Sequence, residues 1–206
     1  MTTQKERLAN TERAISDALV TVGQTKPLAL ISISDLSRAS GINRGTFYLH
    51  YLDKDDLVTQ IRDRLTTQIQ TILDTKITGT MNYKQLATSE PYPIVVDIVA
   101  LINRNRRLVH FLLGPNGDSQ FKPDVTARLE KAIFQELYRV KGTPNFRTDV
   151  PNTYAIRLII NVIMTIVQTW LDSDDGMTEA DIAKLIMQSL YLSPYKMLGI
   201  DSETKA

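Results

Sequence analysis

The chain has 206 residues, a formal net charge of +1, 43% hydrophobic residues and no cysteine. That length allows one large domain or a small head on a larger body, with a core built without disulfides, and the missing cysteines exclude a disulfide framework, a thiolate nucleophile and a cysteine metal site. Near-neutral charge argues against a uniformly basic nucleic-acid binder, so any positive surface has to be local.

Residues 1–14 lack the apolar stretch of a secretion signal. Leu8, Glu12, Ile15, Leu19 and Val22 then fall on a helical repeat, and Gly23 and Pro27 end it. The next informative stretch is residues 32–54, SISDLSRASGINRGTFYLHYLDK. Ser32 and Asp35 have the spacing of a capping box, with Ile31 and Leu36 at the staple positions. A helix is therefore predicted from Ile33, ending at Gly41, where the left-handed conformation comes without a Cβ penalty. Asn43 is a cap for a second helix over residues 44–50. Asp53 and Asp56 repeat the cap-plus-carboxylate spacing, with Leu52 and Leu57 as the expected staple. Two helices joined by so short a connection cross steeply, which is the layout of a helix-turn-helix. Phe47 and Tyr51 are expected to face inward with Leu36, Ile42 and Leu57.

The second helix has the composition of a reading helix. Arg44 in its first turn can reach guanine or a phosphate, Gly45 permits close approach, and Thr46, Tyr48 and His50 carry donors suited to bases or phosphates. Lys54 opens the following helix, whose N-terminal amides favour a phosphate. Lys26, Arg38 and Arg44 stand against Asp35 alone between residues 26 and 51, so the positive charge is concentrated in the head.

Leu57, Ile61, Leu65, Ile69, Ile72 and Leu73 continue one apolar stripe towards Gly79, giving a long helix expected to be the route by which the body reaches the head. Residues 80–93 read as a loop with a short turn. A helical segment follows from Ile94 to about Leu113 with a bend near residues 103–105, then the turn LGPNGD. Phe121, Val125, Leu129, Ile133 and Leu137 mark another helix, closed by Gly142 and Pro144. Residues 151–172 are apolar nearly all round, and the uncharged run of fourteen within them, 158–171, holds Asn161, Thr165, Gln168 and Thr169. A run of that length and polarity is expected not to span a bilayer, giving a soluble, cytoplasmic protein with no membrane partner. Thr178 and Asp181 make a further capping box, followed by Ile182, Leu185, Ile186 and Leu190 on one face.

From about Arg13 to Leu57, through DLSRASGINRGTFYLHYLDKDDL, the chain resembles the DNA-binding domain of the tetracycline-repressor (TetR) family of bacterial transcription regulators. The resemblance implies an all-α fold of about nine helices: a helix-turn-helix head over residues 1–52 and a helical effector-binding and dimerisation body over 53–206. It places Ser32, Ser34, Arg44, Gly45, Thr46, Tyr48, Leu49, His50 and Lys54 at or near double-stranded DNA. Ser34 stands where many relatives carry a longer basic or polar side chain, and Leu49 can make only apolar contact. The segment RNRRLVHFL with LGPNGD is similar to a body type frequent in Gram-positive bacteria, including regulators encoded beside dihydroxyacetone-kinase genes.

The resemblance further implies a homodimer paired through the last two helices, for which Ile159, Ile163, Ile166, Ile182, Ile186 and Leu190 are the expected interface residues. Two reading helices roughly 34 Å apart would then meet an inverted repeat. The family usually represses and is released by a small molecule; activation, or coactivation through a partner, is the alternative. Polar groups on the apolar body helices, Arg106, His110, Tyr154, Asn161, Gln168 and Trp170, are the candidates for an effector pocket, and the basic cluster Arg104, Arg106, Arg107 and His110 would suit an anion. Two histidines far apart, no phosphate-binding glycine loop and acid pairs only at helix ends give no catalytic residue, no metal site and no cofactor, so the chain is not read as an enzyme.

Overall fold

A computed structural model describes residues 4–81, 90–146 and 149–190. Nine α-helices make up these residues, with one short 3₁₀ turn (Leu28–Leu30) and no strand among them. They are α1 (Gln4–Gly23), α2 (Ile33–Ser40), α3 (Arg44–Tyr48), α4 (Lys54–Lys76), α5 (Pro93–Arg104), α6 (Arg106–Leu113), α7 (Phe121–Lys141), α8 (Asn152–Asp172) and α9 (Glu179–Ser189). Most of the loop expected over residues 80–93 lies outside the described residues.

The polar helix starts form largely as their spacing predicts. Ser32 Oγ accepts the Asp35 N–H at 3.2 Å while Asp35 Oδ2 accepts the Ser32 N–H at 2.9 Å. Gly41 closes α2 at φ 71°, and the Asn43 side chain accepts the Thr46 N–H at 2.8 Å to open α3. The third start differs in detail. Asp53 accepts the Asp56 N–H, but Asp56 reaches back one residue further, to the Leu52 N–H. The expected Leu52–Leu57 staple does not form: Leu57 is fully buried and Leu52 is 82% exposed. With the Asp56 carboxylate holding the Leu52 amide, the backbone there is fixed without the apolar contact.

By compactness the chain forms two units. The first comprises Met1–Ile69 and Asn105–Val125, the second Gln70–Arg104 and Thr126–Ala206. The helix-turn-helix expected within residues 1–52 lies wholly in the first, which also takes in most of α4, all of α6 and the start of α7. The chain therefore passes between units at three places, where α4 alone was expected to carry the connection.

In the first unit α1 packs on α2 and α6, and α2 on α3. Its core contains Ile15, Leu19, Leu36, Phe47, Tyr51, Leu57 and Ile61, all buried, while Ile42 is half-buried. The turn after α6 is part of this packing. The Asn116 carbonyl accepts the Leu28 N–H at 2.8 Å, its side chain donates to Gly23 O at 3.3 Å, and Asp118 pairs with Arg62 at 2.9 Å. Gly23 lies under the Phe111 ring, where a Cβ would come within 2.1 Å of a ring carbon.

In the second unit α9 packs on α5 and α8. Ile156, Ile160, Met164, Val167, Trp170, Ile182, Ile186 and Met187 are buried there. The predicted α9 capping box forms, with Thr178 and Asp181 exchanging bonds at 2.9 and 3.2 Å. Beyond the C-terminus of α4, Glu136 is buried, accepts the Gly79 N–H at 2.9 Å and takes two bonds from Arg139. The bidentate Arg139 contact holds its carboxyl below the usual range against the opposing effect of burial.

The membrane expectation needs one correction. The fourteen-residue run extends into a helix of 21 residues, and α8 is long and apolar enough by length and composition to cross a bilayer. In the fold its Ile156, Ile160, Met164 and Val167 side is buried, and it packs on α9.

Candidate nucleic-acid interface

The candidate surface begins with what holds α3 in place. This helix has five residues, too few to persist alone in water, so tertiary contacts must supply its stability. Phe47 provides the main one: it is buried, its ring centroid 5.5 Å from that of Tyr51. Burying Phe47 fixes the rotation of the helix, and the residues on the other side turn outward. Arg44, Gly45, Tyr48 and Leu49 are exposed, Tyr48 at 56% and Leu49 at 85%. The Tyr48 ring meets Phe47 edge-on at 5.8 Å, so an outward side chain is braced by an inward one.

The remaining expected DNA-contacting residues are placed differently. Ser32 is exposed but its hydroxyl serves the α2 cap. Ser34 and Thr46 are half-buried, and the Arg44 guanidinium donates to Ser34 Oγ, linking α3 to α2 across the turn. His50 is turned inward, its side chain 8% exposed and its Nδ1 4.0 Å from Glu12 Oε1 on α1. Lys54 donates to the Leu28 and Ala29 carbonyls at 2.9 and 3.2 Å. Its ammonium thus ties the start of α4 to the 3₁₀ turn, and Asp55 Oδ1 lies 4.0 Å from the same nitrogen.

Local charge is rearranged as well. Lys26 pairs with Asp35 at 2.6 Å, so one of the three cations counted between residues 26 and 51 is matched internally. The Lys26 hydrogen bond, with those from the Ser32 amide and hydroxyl, holds the Asp35 carboxyl far below the ordinary range. The Leu52 N–H does the same, more mildly, for Asp56. Arg38 and Arg44 remain as the exposed cations of this stretch.

The clasp around Asn116 escaped the sequence reading. The sequence marks LGPNGD as a turn and, with RNRRLVHFL, as part of a body-type resemblance; in the fold it also fixes the 23–28 connection that leads into α2 and α3. The available signal was Gly117, whose Cβ would lie 2.0 Å from the Phe111 carbonyl oxygen; only glycine fits so close to a helix end.

The six polar residues expected to line an effector pocket divide between the units. Arg106 and His110 belong to the first, half-buried and exposed respectively, and Tyr154, Asn161, Gln168 and Trp170 to the second. Trp170 is buried and donates its indole N–H to the Met177 carbonyl at 3.1 Å, closing the turn into α9. Tyr154 and Asn161 are exposed on α8, and Gln168 is half-buried. Of the six expected interface residues, Ile182 and Ile186 are buried within the protomer, Ile159, Ile163 and Ile166 are half-buried, and Leu190 is exposed.

Comparison with known proteins bears on the whole arrangement. Residues 89–191 match the family model described as "Transcriptional regulator C-terminal region", of the TetR type. The chain belongs to the TetR family of transcriptional regulators. It is 32% identical over 193 residues to an uncharacterized HTH-type transcriptional regulator, YxbF, of Bacillus subtilis (strain 168), an alignment covering 93% of this chain and 47% of that protein. The chain thus spans about half the length of the curated relative it matches. Among solved structures, a TetR transcriptional regulator from Streptococcus agalactiae 2603V superposes with a TM-score of 0.58 at 20% identity, over 91% of this chain and 97% of that one. A TetR-family regulator from Syntrophomonas wolfei str. Goettingen gives 0.60 at 16% identity, over 99% and 100%. At these identities the structural matches establish the all-α regulator fold.

Proposed function

We propose that this TetR-family regulator is a cytoplasmic repressor that binds an inverted-repeat operator as a homodimer and is released by a small-molecule effector. The observation carrying the reading is the division of labour on α3, where Phe47 is buried while Arg44, Gly45, Tyr48 and Leu49 face outward from a scaffold capped at both neighbouring helix starts. Arg44 supplies charge-assisted donors to a guanine edge or a phosphate, and Tyr48 a phenolic hydroxyl to the backbone. With two exposed cations in the stretch, one head binds weakly, and two heads in register supply specificity.

For dimerisation the support is the outer side of α8. Tyr154 and Leu158 are exposed there and Ile159, Val162, Ile163 and Ile166 are only half covered, an apolar surface suited to a second copy. Effector release follows if the ligand favours a body conformation in which the two heads lose their spacing, since DNA and effector then weaken each other reciprocally.

The test is a mobility-shift titration of the DNA upstream of the gene, with sedimentation to establish the oligomer. Arg44→Ala is expected to weaken operator binding roughly 10- to 100-fold, the scale of one bidentate base contact, and to leave the oligomer unchanged. A folded protein that binds no inverted repeat, or an Arg44→Ala variant that binds as tightly as the parent, would sink the proposal.

A further inference from the structure

We infer that Leu49 reads the C5-methyl group of a thymine in each operator half-site and is a specificity-determining residue; this rests on the DNA-reading role proposed above. Leu49 closes α3 in the helical conformation and is 85% exposed, more than any other large apolar side chain described. It follows directly on the five residues of α3 as their C-cap, next to Tyr48, and turns outward where Phe47 turns inward.

One helical turn earlier, on the same side of the helix, stands Gly45, exposed and with no left-handed φ to require glycine. A Cβ there would meet nothing but the Asn43 cap oxygen, at 3.2 Å. Beside Leu49 the helix surface is therefore bare backbone, and the leucine is the side chain that projects from that strip.

Leucine has no donor or acceptor, so it gains nothing from a phosphate or a polar base edge. In the major groove the apolar group displayed by the base pairs is the thymine methyl. Packing the leucine against it removes two apolar surfaces from water and leaves no polar group unpaired. An adenine, guanine or cytosine at the same place would set a polar edge against an aliphatic chain, which costs hydrogen bonds to water. Against deoxyuridine, which shares thymine's polar edge, discrimination arises from the methyl alone.

The experiment separates the methyl from every other feature of thymine. Preferred duplexes are first selected from a random pool with the full chain. Each thymine of the selected site is then replaced by deoxyuridine, which keeps all hydrogen-bonding groups and lacks the methyl, and affinities are measured for the parent and for Leu49→Ala. For the parent, one thymine position per half-site should be sensitive, with a loss of roughly fourfold for one half-site and roughly fifteenfold for both, the scale of one buried methyl each. Leu49→Ala should bind the thymine site about as weakly as the parent binds the deoxyuridine site, and should not distinguish the two. Leu49→Gln should select adenine in place of that thymine.

If no thymine is sensitive in the parent, or if Leu49→Ala remains as sensitive as the parent, the assignment of Leu49 is wrong while sequence-specific binding stands. Failure of the parent to select any sequence would instead overturn both proposals. Leu49 is outside the core, so the thermal midpoint of either variant should match the parent, and a lowered midpoint with equal losses on both duplexes would assign the residue to folding.

Discussion

The two compact units are held together by different means, although both are helical. In the first, short helices are fixed by polar side chains that clasp backbone groups: Ser32, Asp35, Asn43, Asp53 and Asp56 at helix starts, Lys54 on the 3₁₀ carbonyls, Asn116 on the 23–28 connection. In the second, α8 and α9 are defined by apolar sides that pack together, with the Thr178–Asp181 box as one polar marker. The difference follows from length. A five-residue helix buries too little to orient itself and needs directional bonds; a 21-residue helix buries enough that direction comes from its pattern.

The contrast can be broken from either side, and the largest effect is expected in the second unit. Ile182→Ala removes a fully enclosed side chain and should cost about 2–5 kcal/mol in urea denaturation, combining transfer and cavity costs. A cost below that of a single cap would mean the apolar contacts do not carry this unit. Next comes Gly117→Ala, whose new methyl must displace the Phe111 and Leu112 carbonyls. It should cost about 1–3 kcal/mol. Because the Leu28 amide bonds to Asn116, hydrogen exchange at Leu28 should accelerate more than at the α9 amides, and uniform acceleration would deny the clasp its local role.

A smaller effect sharpens the comparison by holding the chemistry constant. Ser32→Ala and Thr178→Ala remove the same kind of cap in the two units, each worth about 1 kcal/mol in isolation. Each substitution also removes a hydroxyl donor from the box carboxylate, and Ser32→Ala should be the more costly of the two because Asp35 in addition anchors Lys26. Equal losses would show that Lys26 adds nothing to the cap.

The mildest effect is on pH. Asp35, Asp56, Glu136 and Asp181 all titrate below their ordinary values in the folded chain, chiefly through Lys26, the Leu52 amide, Arg139 and Thr178 respectively. Between the folded and ordinary values the unfolded chain holds more protons, so stability rises with pH there. Their contribution is complete above the ordinary carboxylate range and is lost as pH falls through the lowered values. Urea midpoints should be flat near neutrality and decline below about pH 4, and Asp35→Asn should flatten that decline.

How much of this was legible in the sequence depends on whether the cause was local. Ser32 with Asp35, Asn43 with Thr46 and Thr178 with Asp181 are three-residue relationships, and they placed the starts of α2, α3 and α9 to the residue. The break between α5 and α6 at Asn105 also fell within the bend expected over 103–105. What could not be read was tertiary. Leu52 had the staple spacing but lost its place when Asp56 took the Leu52 amide, and His50, polar and expected on the helix over 44–50, lies past the end of α3 and faces Glu12, 38 residues earlier. The outward set on α3 was readable for Arg44, Gly45, Tyr48 and Leu49 because Phe47 marks the inner side. It was not readable for Lys54, whose carbonyl partners at Leu28 and Ala29 become neighbours only after the chain has turned three times.

The alternation along residues 44–51 also separates two kinds of inheritance. Phe47 and Tyr51 secure the helix from within, and Arg44, Gly45, Tyr48 and Leu49 touch solvent. Under the proposed function, changes at the outer positions alter what is recognised with little effect on whether the protein folds, since surface substitutions away from caps typically move stability by less than about 0.5 kcal/mol. On that reading a gene copy of this regulator drifts to a new operator one outer residue at a time, each intermediate remaining a folded protein. The fold supplies a constant frame, and the address written on it is free to change.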